Sequence, residues 1–168
     1  MKRHRNVSYA RVRELFDYQP KTGKLIWLVA HGRWKRIPAG TAAGTLTTAN
    51  HLVVRIDGDN YLCHRVIWLW VTGKWPANEI DHRDLNGSNN KWSNLRTATH
   101  AQNNQNKKVQ KNSRTKFKGV QKIISGRWRA YISIGRKFRH IGMFDTPQEA
   151  RRAYLKAAKR LYGDFARG

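Results

Sequence analysis

Sixty consecutive residues, 85 to 144, contain neither aspartate nor glutamate. Surface cations ordinarily sit among acids that offset their mutual repulsion, so a stretch of this length must turn its Lys and Arg toward something outside the chain. The imbalance runs through the whole sequence: 34 Lys and Arg stand against 10 Asp and Glu in 168 residues, a formal net charge of +24. A polyanion is the natural partner. An anionic membrane is not, because the longest apolar run, Val66-Ile67-Trp68-Leu69-Trp70-Val71, is far too short to span a bilayer and no lysine-rich amphipathic helix replaces it. The basic start Met1-Lys2-Arg3-His4-Arg5 leads into Asn, Val and Ser and not into an apolar signal core, so the expected location is a cytoplasm. Cys63 stands alone, which excludes an internal disulfide and a Cys-rich zinc cage and suits a reducing compartment. Seven Trp among 11% aromatics supply enough apolar surface for a core.

The expected fold class is α+β. Tyr9, Val12, Leu15 and Phe16 predict a short helix from Ser8 to Phe16. Phe16-Asp17-Tyr18 and Leu25 to Val29 flank a Pro-then-Gly turn and predict a hairpin. A second hairpin is expected from His51 to Ile56 and Tyr61 to Cys63 around Asp57-Gly58-Asp59-Asn60, followed by a helix from His64 to Thr72 that stops at Gly73. Residues 103 to 116 hold one apolar residue in fourteen and read as a solvated linker or a strand lying on phosphates. Beyond them Phe117 to Ile124, Arg127 to Ile134 and Lys137 to Phe144 predict a three-stranded antiparallel meander, with turns at Ser125-Gly126 and Gly135-Arg136. Thr146-Pro147-Gln148-Glu149 is a capping box that opens a helix closed by Gly163. Ala150, Ala153, Tyr154, Ala157 and Leu161 would pack that helix on the sheet, against Trp128, Ala130, Ile132 and Ile134. Arg127, Arg129, Tyr131 and Ser133 would then face outward, and an acid-free, Arg-rich open face suits a sheet that reads the DNA major groove.

Against this background EIDHRDLNGSNNKWSNLR, from Glu79, is conspicuous, for it gathers Glu79, Asp81 and Asp84 around His82. Ile80-Asp81-His82 suits a strand, Asn86-Gly87 a tight turn, Asn94-Leu95-Arg96 a returning arm, and Thr99-His100-Ala101-Gln102 a capped helix start. In such a strand-loop-strand-helix, Asp81 ends a strand and Asn103 lies in the first turn of the helix, so the two could share one cation. Carboxylate and amide oxygens are the hard donors that Mg²⁺ accepts. An acid beside DNA is repulsive unless a metal lies between them, which gives Asp81 a physical reason to be there. His82 points to the other side of the strand, and an imidazole of pKa near ~6.5 is neutral and able to take a proton from water. The blander assignments are solvated loop charges for Glu79 and Asp84, turn formers for Asn86, Asn89 and Asn90, and a core or phosphate-touching role for His64. Trp68, Trp70, Trp75 and Trp92 read as packing residues.

Asp81-His82, Asn94-Leu95-Arg96, Thr99 and Asn103 together resemble the ββα-metal core of HNH endonucleases, in the phage and intron homing branch. Tyr18-Gln19-Pro20-Lys21-Thr22-Gly23-Lys24-Leu25-Ile26-Trp27, His64-Arg65-Val66-Ile67-Trp68 and Gly73-Lys74-Trp75-Pro76 are similar to the parts that precede that core. Lys118-Gly119-Val120, Gly142 to Thr146 and Glu149 to Tyr154 resemble the APETALA2-type DNA-binding domain. The resemblance implies His82 as general base, Asp81 and Asn103 as ligands of a divalent ion, Mg²⁺ or Mn²⁺, with His100 the alternative to Asn103, and Asn94 as the residue that fixes the loop and helps orient the base. Expected DNA contacts are Lys116, Lys118, Gln121, Lys122, Arg127, Arg129, Tyr131, Arg139 and His140; Gln121 stands where that family usually has arginine. The expected organisation is a nuclease module over 1–106, with a β-rich part at 1–76 and the metal core at 77–106, a linker at 107–113, and a DNA-binding domain at 114–168. The function this implies is site-specific, metal-dependent DNA cleavage by a monomer acting on double-stranded DNA, in a host cytoplasm if the gene is a phage's. A catalytically silent DNA-binding regulator and an RNA-binding protein are the rival readings.

Overall fold

In the computed structural model, residues 7–32, 36–107, 109, 115–134 and 137–166 are described. Most of the expected linker and the Gly135-Arg136 turn fall outside them. The chain divides into two compact units, Met1–Ala98 and Thr99–Gly168. The break lies ahead of the helix that the sequence reading grouped with the nuclease module.

In the first unit Ser8 caps α1 (Tyr9–Leu15), its hydroxyl accepting from the Arg11 N–H at 3.1 Å. β1 (Phe16–Gln19) and β2 (Lys24–Trp27) pair antiparallel from Phe16↔Trp27 to Gln19↔Lys24, so alternate residues Phe16, Tyr18, Leu25 and Trp27 are buried. A three-stranded sheet follows, with β4 (Leu52–Ile56) between β3 (Thr45–Leu46) and β5 (Asp59–Leu62). The β4–β5 turn is tighter than the four residues expected. Ile56 pairs with Asp59, so only Asp57 and Gly58 turn, at φ 49° and 95°, the left-handed pair that matches strand twist in a two-residue hairpin. Arg11 Nη2 holds Asp57 Oδ1 at 2.8 Å and fixes the turn to α1.

β5 runs without a spacer into α2 (Cys63–Thr72), which presents Cys63, Val66, Ile67 and Leu69 to the core and ends on Gly73 in the left-handed conformation. Burial pushes the Cys63 thiol up to about 12, so it is an inert apolar filler. Trp68, Trp70, Trp75 and Trp92 pack around this core, with Trp70 Nε1 donating to the Phe16 carbonyl and Trp75 Nε1 to that of Val7, both at 2.9 Å. β6 (Glu79–His82) and β7 (Leu95–Ala98) form a separate antiparallel hairpin in the register Ile80↔Thr97, Asp81↔Arg96, His82↔Leu95. Asn86-Gly87 opens a tight turn, the Asn89 N–H donating to the Asn86 carbonyl at 3.0 Å, but it lies within a longer loop, residues 83–94, that a 3₁₀ turn at Trp92–Asn94 closes.

The second unit opens with α3 (His100–Asn106), whose N-terminus is the expected capping box: Thr99 accepts from the Gln102 N–H, and Gln102 returns the bond. β8 (Val120–Lys122), β9 (Trp128–Ile134) and β10 (Lys137–Phe144) form the meander, in the order β10-β9-β8. α4 (Pro147–Tyr162) starts at the Thr146 and Glu149 capping box and packs against all three strands. Its buried row is Ala150, Tyr154 and Ala158, a strict four-residue period, while Leu161 is 43% exposed. The contact face is therefore narrower than expected. Ala130 and Ile132 meet it from β9, and the Tyr162 hydroxyl donates to the Ser133 carbonyl. Among the described residues no helix is long and apolar enough to cross a membrane.

Candidate active site

The β6–β7 hairpin puts chemistry on both of its faces. Side chains alternate along a strand, so Asp81 and His82 point to opposite sides. Asp81 is buried, and on its side the cross-strand partner Arg96 places Nε and Nη2 each 2.8 Å from Asp81 Oδ2. This ion pair was not foreseen. Arg96 thus holds this carboxylate and offsets its charge.

His82 is buried on the other side, and its Nε2 lies 2.9 Å from Asn90 Oδ1. An amide oxygen only accepts, so the neutral ring carries its proton on Nε2 and its lone pair on Nδ1. Burial lowers the His82 pKa below the usual histidine value and His51 adds to this, against the opposing pull of Asn90, Asp84 and Asp81. The ring is thus neutral at physiological pH.

Asn90, read from sequence as a turn former, is the residue that touches the His82 ring. It is 1% exposed and is held by its backbone. The Tyr18 hydroxyl donates to the Asn90 carbonyl at 2.7 Å, and burial raises the Tyr18 pKa to about 12, which keeps that donor protonated. The Trp92 N–H reaches the Pro20 carbonyl at 3.3 Å. Gly23, at φ 76°, lies so close that an added Cβ would run into the backbone of Asn90 and Lys91. The turn of the β1–β2 hairpin therefore forms a seat for the loop. Asn94 organises the other side: its Oδ1 accepts from the Asp84 N–H at 3.0 Å, and its Nδ2 donates to Asp84 Oδ1 at 2.9 Å and to the Asn89 carbonyl at 2.7 Å. These bonds tie Asn94 to Asp84 and Asn89 within the loop, while contact with the His82 ring belongs to Asn90. Asp84 is a structural acid and not a merely solvated one. Partial burial raises its pKa, but bonds from Asn86, Asn89 and Asn94 outweigh this and hold the carboxyl below its usual range.

Two further histidines converge on His82. His64 stands in the first turn of α2 and His51 just before β4; ring centres are 5.1 Å apart for His64–His82, 5.6 Å for His51–His82 and 5.3 Å for His51–His64. Burial, followed by the neighbouring His82, His51 and Arg65, lowers the His64 pKa to about 3. The loop reaches His51 because Gly87 has no side chain: a Cβ there would lie 2.5 Å from His51 Nδ1. Asn50 Nδ2 also donates to Asn86 Oδ1 at 3.1 Å. Nothing in the sequence marks His51, since only tertiary packing joins it to His82.

Asn103 and His100 lie on α3, where the Asn103 N–H closes the first turn on the Thr99 carbonyl at 2.9 Å.

The basic sheet face has a different character. Gln121, Arg129, Tyr131, Phe138 and His140 line an open depression of about 400 Å³ on β8, β9 and β10. Arg129 Nη2 donates to Gln121 Oε1 at 2.7 Å, and Phe138 is 74% exposed beside Tyr131. Arg127 is drawn aside: its Nε lies 3.0 Å from Asp145 Oδ1 and its Nη2 3.3 Å from the Met143 carbonyl. Lys122 rests over Trp128, while Lys118 Nζ donates to the Gln105 carbonyl at 2.7 Å. Lys116 takes a positive φ of 57° and Arg139 is exposed on β10.

Residues 61–105 match the family model for HNH endonucleases. An uncharacterized HNH endonuclease of Acanthamoeba polyphaga mimivirus is 37% identical over 105 residues, 61% of this chain and 54% of the relative. An ethylene-responsive transcription factor of Arabidopsis thaliana is 51% identical over 53 residues, 30% of this chain and 21% of its own length. An APETALA2-like protein of Oryza sativa subsp. japonica is 45% identical over 51 residues, 29% and 12% of the two chains. The chain thus spans about half of the viral relative and a smaller part of the plant ones. No solved structure matches it.

Proposed function

We propose that the chain is a metal-dependent DNA endonuclease of the phage homing type, with His82 as general base and the β8–β10 face as its DNA-reading surface. The observation that carries this reading is the separation of roles on the β6–β7 hairpin. A neutral imidazole, its tautomer set by Asn90, lies on one face and a carboxylate on the other, within the HNH domain. His82 Nδ1 takes a proton from the attacking water, and the oxygen forms a bond to phosphorus as the bond to the 3′-oxygen breaks. Asp81 is the anchor assigned to the divalent ion, and Asn103 its second ligand. When bound, Mg²⁺ or Mn²⁺ stabilises negative charge on the phosphoryl oxygens and the departing oxygen. Arg96 holds the Asp81 carboxylate in place and tempers its charge.

That same ion pair supports the competing reading, a silent DNA-binding regulator on an HNH scaffold, because Arg96 already neutralises the metal anchor. Supercoiled plasmid with Mg²⁺, with and without chelator, separates the two. Chelator-sensitive open circles are expected first, since each chain offers one His82 and a monomer cuts one strand. Plasmid that stays supercoiled at saturating protein refutes the nuclease reading, and linear product from the outset, at a rate rising as the square of protein concentration, refutes the monomer.

A further inference from the structure

Two members of a three-histidine cluster, His51 and His64, have no use in the reaction above. His51, His64 and His82 each bring a ligating ring nitrogen to within 4.8 Å of the other two. Nδ1 of His51 and Nδ1 of His64 are buried and have no hydrogen-bond partner. A buried imidazole nitrogen without a partner is costly, so two beside one another call for an explanation. Three imidazoles on one tetrahedral zinc, with Zn–N near ~2 Å, place their ring centres roughly 5 Å apart. The three centres here are 5.1 to 5.6 Å apart, close to the spacing that three rings on one ion require. The outer contact is also in place, because a ligating histidine normally gives its other N–H to an acceptor, as His82 Nε2 does to Asn90 Oδ1.

From this geometry we infer that His51, His64 and His82 form a second cation site, separate from the oxygen site assigned to Asp81, which takes a borderline-soft ion of the zinc class. Neutral imidazoles are the ligating form, and they bind through lone pairs and need no negative charge, which suits a chain of net charge +24. Mg²⁺, which prefers oxygen donors and keeps its waters, is excluded from such a site. The inference goes further where it rests on the proposed function: an ion held here occupies the lone pair on His82 that would accept the proton from water. A zinc-class ion and base catalysis are then mutually exclusive, and the cluster is an inhibitory site built into the base.

Cobalt(II) is the direct probe, because four-coordinate Co²⁺ absorbs strongly in the visible where the hexaaqua ion barely does. Titration of the full chain should develop these bands to one equivalent, and zinc should bleach them. His51→Gln, at the least buried of the three positions, should weaken cobalt binding at least about 100-fold, more than loss of an outer contact costs. His31→Gln, outside the cluster, should leave it unchanged. If the wild type gives no such bands, the site does not exist; if His51→Gln gives them with unaltered affinity, or His31→Gln loses them, the site lies elsewhere. Should His51→Gln lose its far-UV circular dichroism, the wild-type titration with zinc competition decides alone. Plasmid cleavage in Mg²⁺ then tests the inhibitory role: one equivalent of zinc should slow the wild type at least 10-fold and His51→Gln far less. Equal sensitivity would overturn that role. A plasmid left uncut in every condition counts against the nuclease reading and leaves the cobalt result to judge the site.

Discussion

The two units of this chain treat charge in opposite ways. Residues 99–168 hold 18 of the 34 Lys and Arg but only 3 of the 10 acids, and those three, Asp145, Glu149 and Asp164, stand at the ends of strands and helices. The β8–β10 face that results is acid-free and open. Residues 1–98 keep the other seven acids and bring three of them to one hairpin, where Glu79 opens β6, Asp81 is buried against Arg96 and Asp84 is encased by asparagines. The first unit holds the acids of its hairpin with its own side chains, and the second presents an excess of cations. Contact tolerates imprecise side chains, whereas proton transfer requires a fixed one.

The largest effect should come from the base. His82→Ala should cut the cleavage rate by about 10²- to 10⁴-fold while DNA affinity stays within about two-fold, since a neutral ring adds little to phosphate attraction. Single-turnover cleavage together with a filter-binding isotherm reads both; a variant that cuts at the wild-type rate would erase the contrast between the units. Arg129→Ala should do the reverse, weakening binding by about 1–3 kcal/mol and reducing the salt slope by about one phosphate contact. Cleavage at saturating protein should survive. An unchanged slope of log affinity against log salt would mean that the sheet face is merely solvated. Arg127→Ala should matter less, because Asp145 and the Met143 carbonyl already engage that side chain.

A smaller effect tests the buried histidines through stability. The folded pKa of His64 is about 3, below the unfolded value, so the unfolded chain binds the extra proton between that pKa and about 6.5. Stability should therefore fall as pH drops through this window, with a limiting slope of about 1.4 kcal/mol per pH unit from this residue, and be flat with respect to it above. Denaturant melts at several pH values should show a shallower slope for His64→Gln than for the wild type. Parallel curves would mean that His64 is not buried as described.

Local rules made much of the fold legible. The capping boxes at Thr99 and Thr146, the left-handed stop at Gly73 and the alternation in β1, β2 and β9 are encoded within a few residues, and each element formed where its pattern lay. The placement of Asp81 and His82 on one strand and of Asn94 at the start of the returning arm was likewise readable. Asn90, Arg96 and His51 were not, for separate physical reasons. Asn90 has the composition of a turn and gains its contact only because the β1–β2 turn fixes its backbone. Arg96 pairs with Asp81 through hairpin register, which depends on a long loop whose length conceals the alignment. His51 joins the cluster through an approach that Gly87 permits, and a glycine in an Asn-Gly pair advertises a turn. The Leu161 assignment failed because the buried row Ala150, Tyr154 and Ala158 continues to Tyr162 and leaves Leu161 beside it, exposed.

The seat made by Tyr18, Pro20 and Gly23 has a consequence for how the molecule opens. The loop from 83 to 91 has no regular secondary structure, so by type it belongs with the segments that exchange their amide hydrogens first. Its far end, however, is fixed to a hairpin whose Phe16, Tyr18, Leu25 and Trp27 are among the most deeply buried side chains of the unit. The loop cannot lift away from its seat without breaking a buried hydrogen bond, so it should share the protection of the core and exchange only when that core unfolds. An enzyme loop of this kind opens with the fold and not ahead of it.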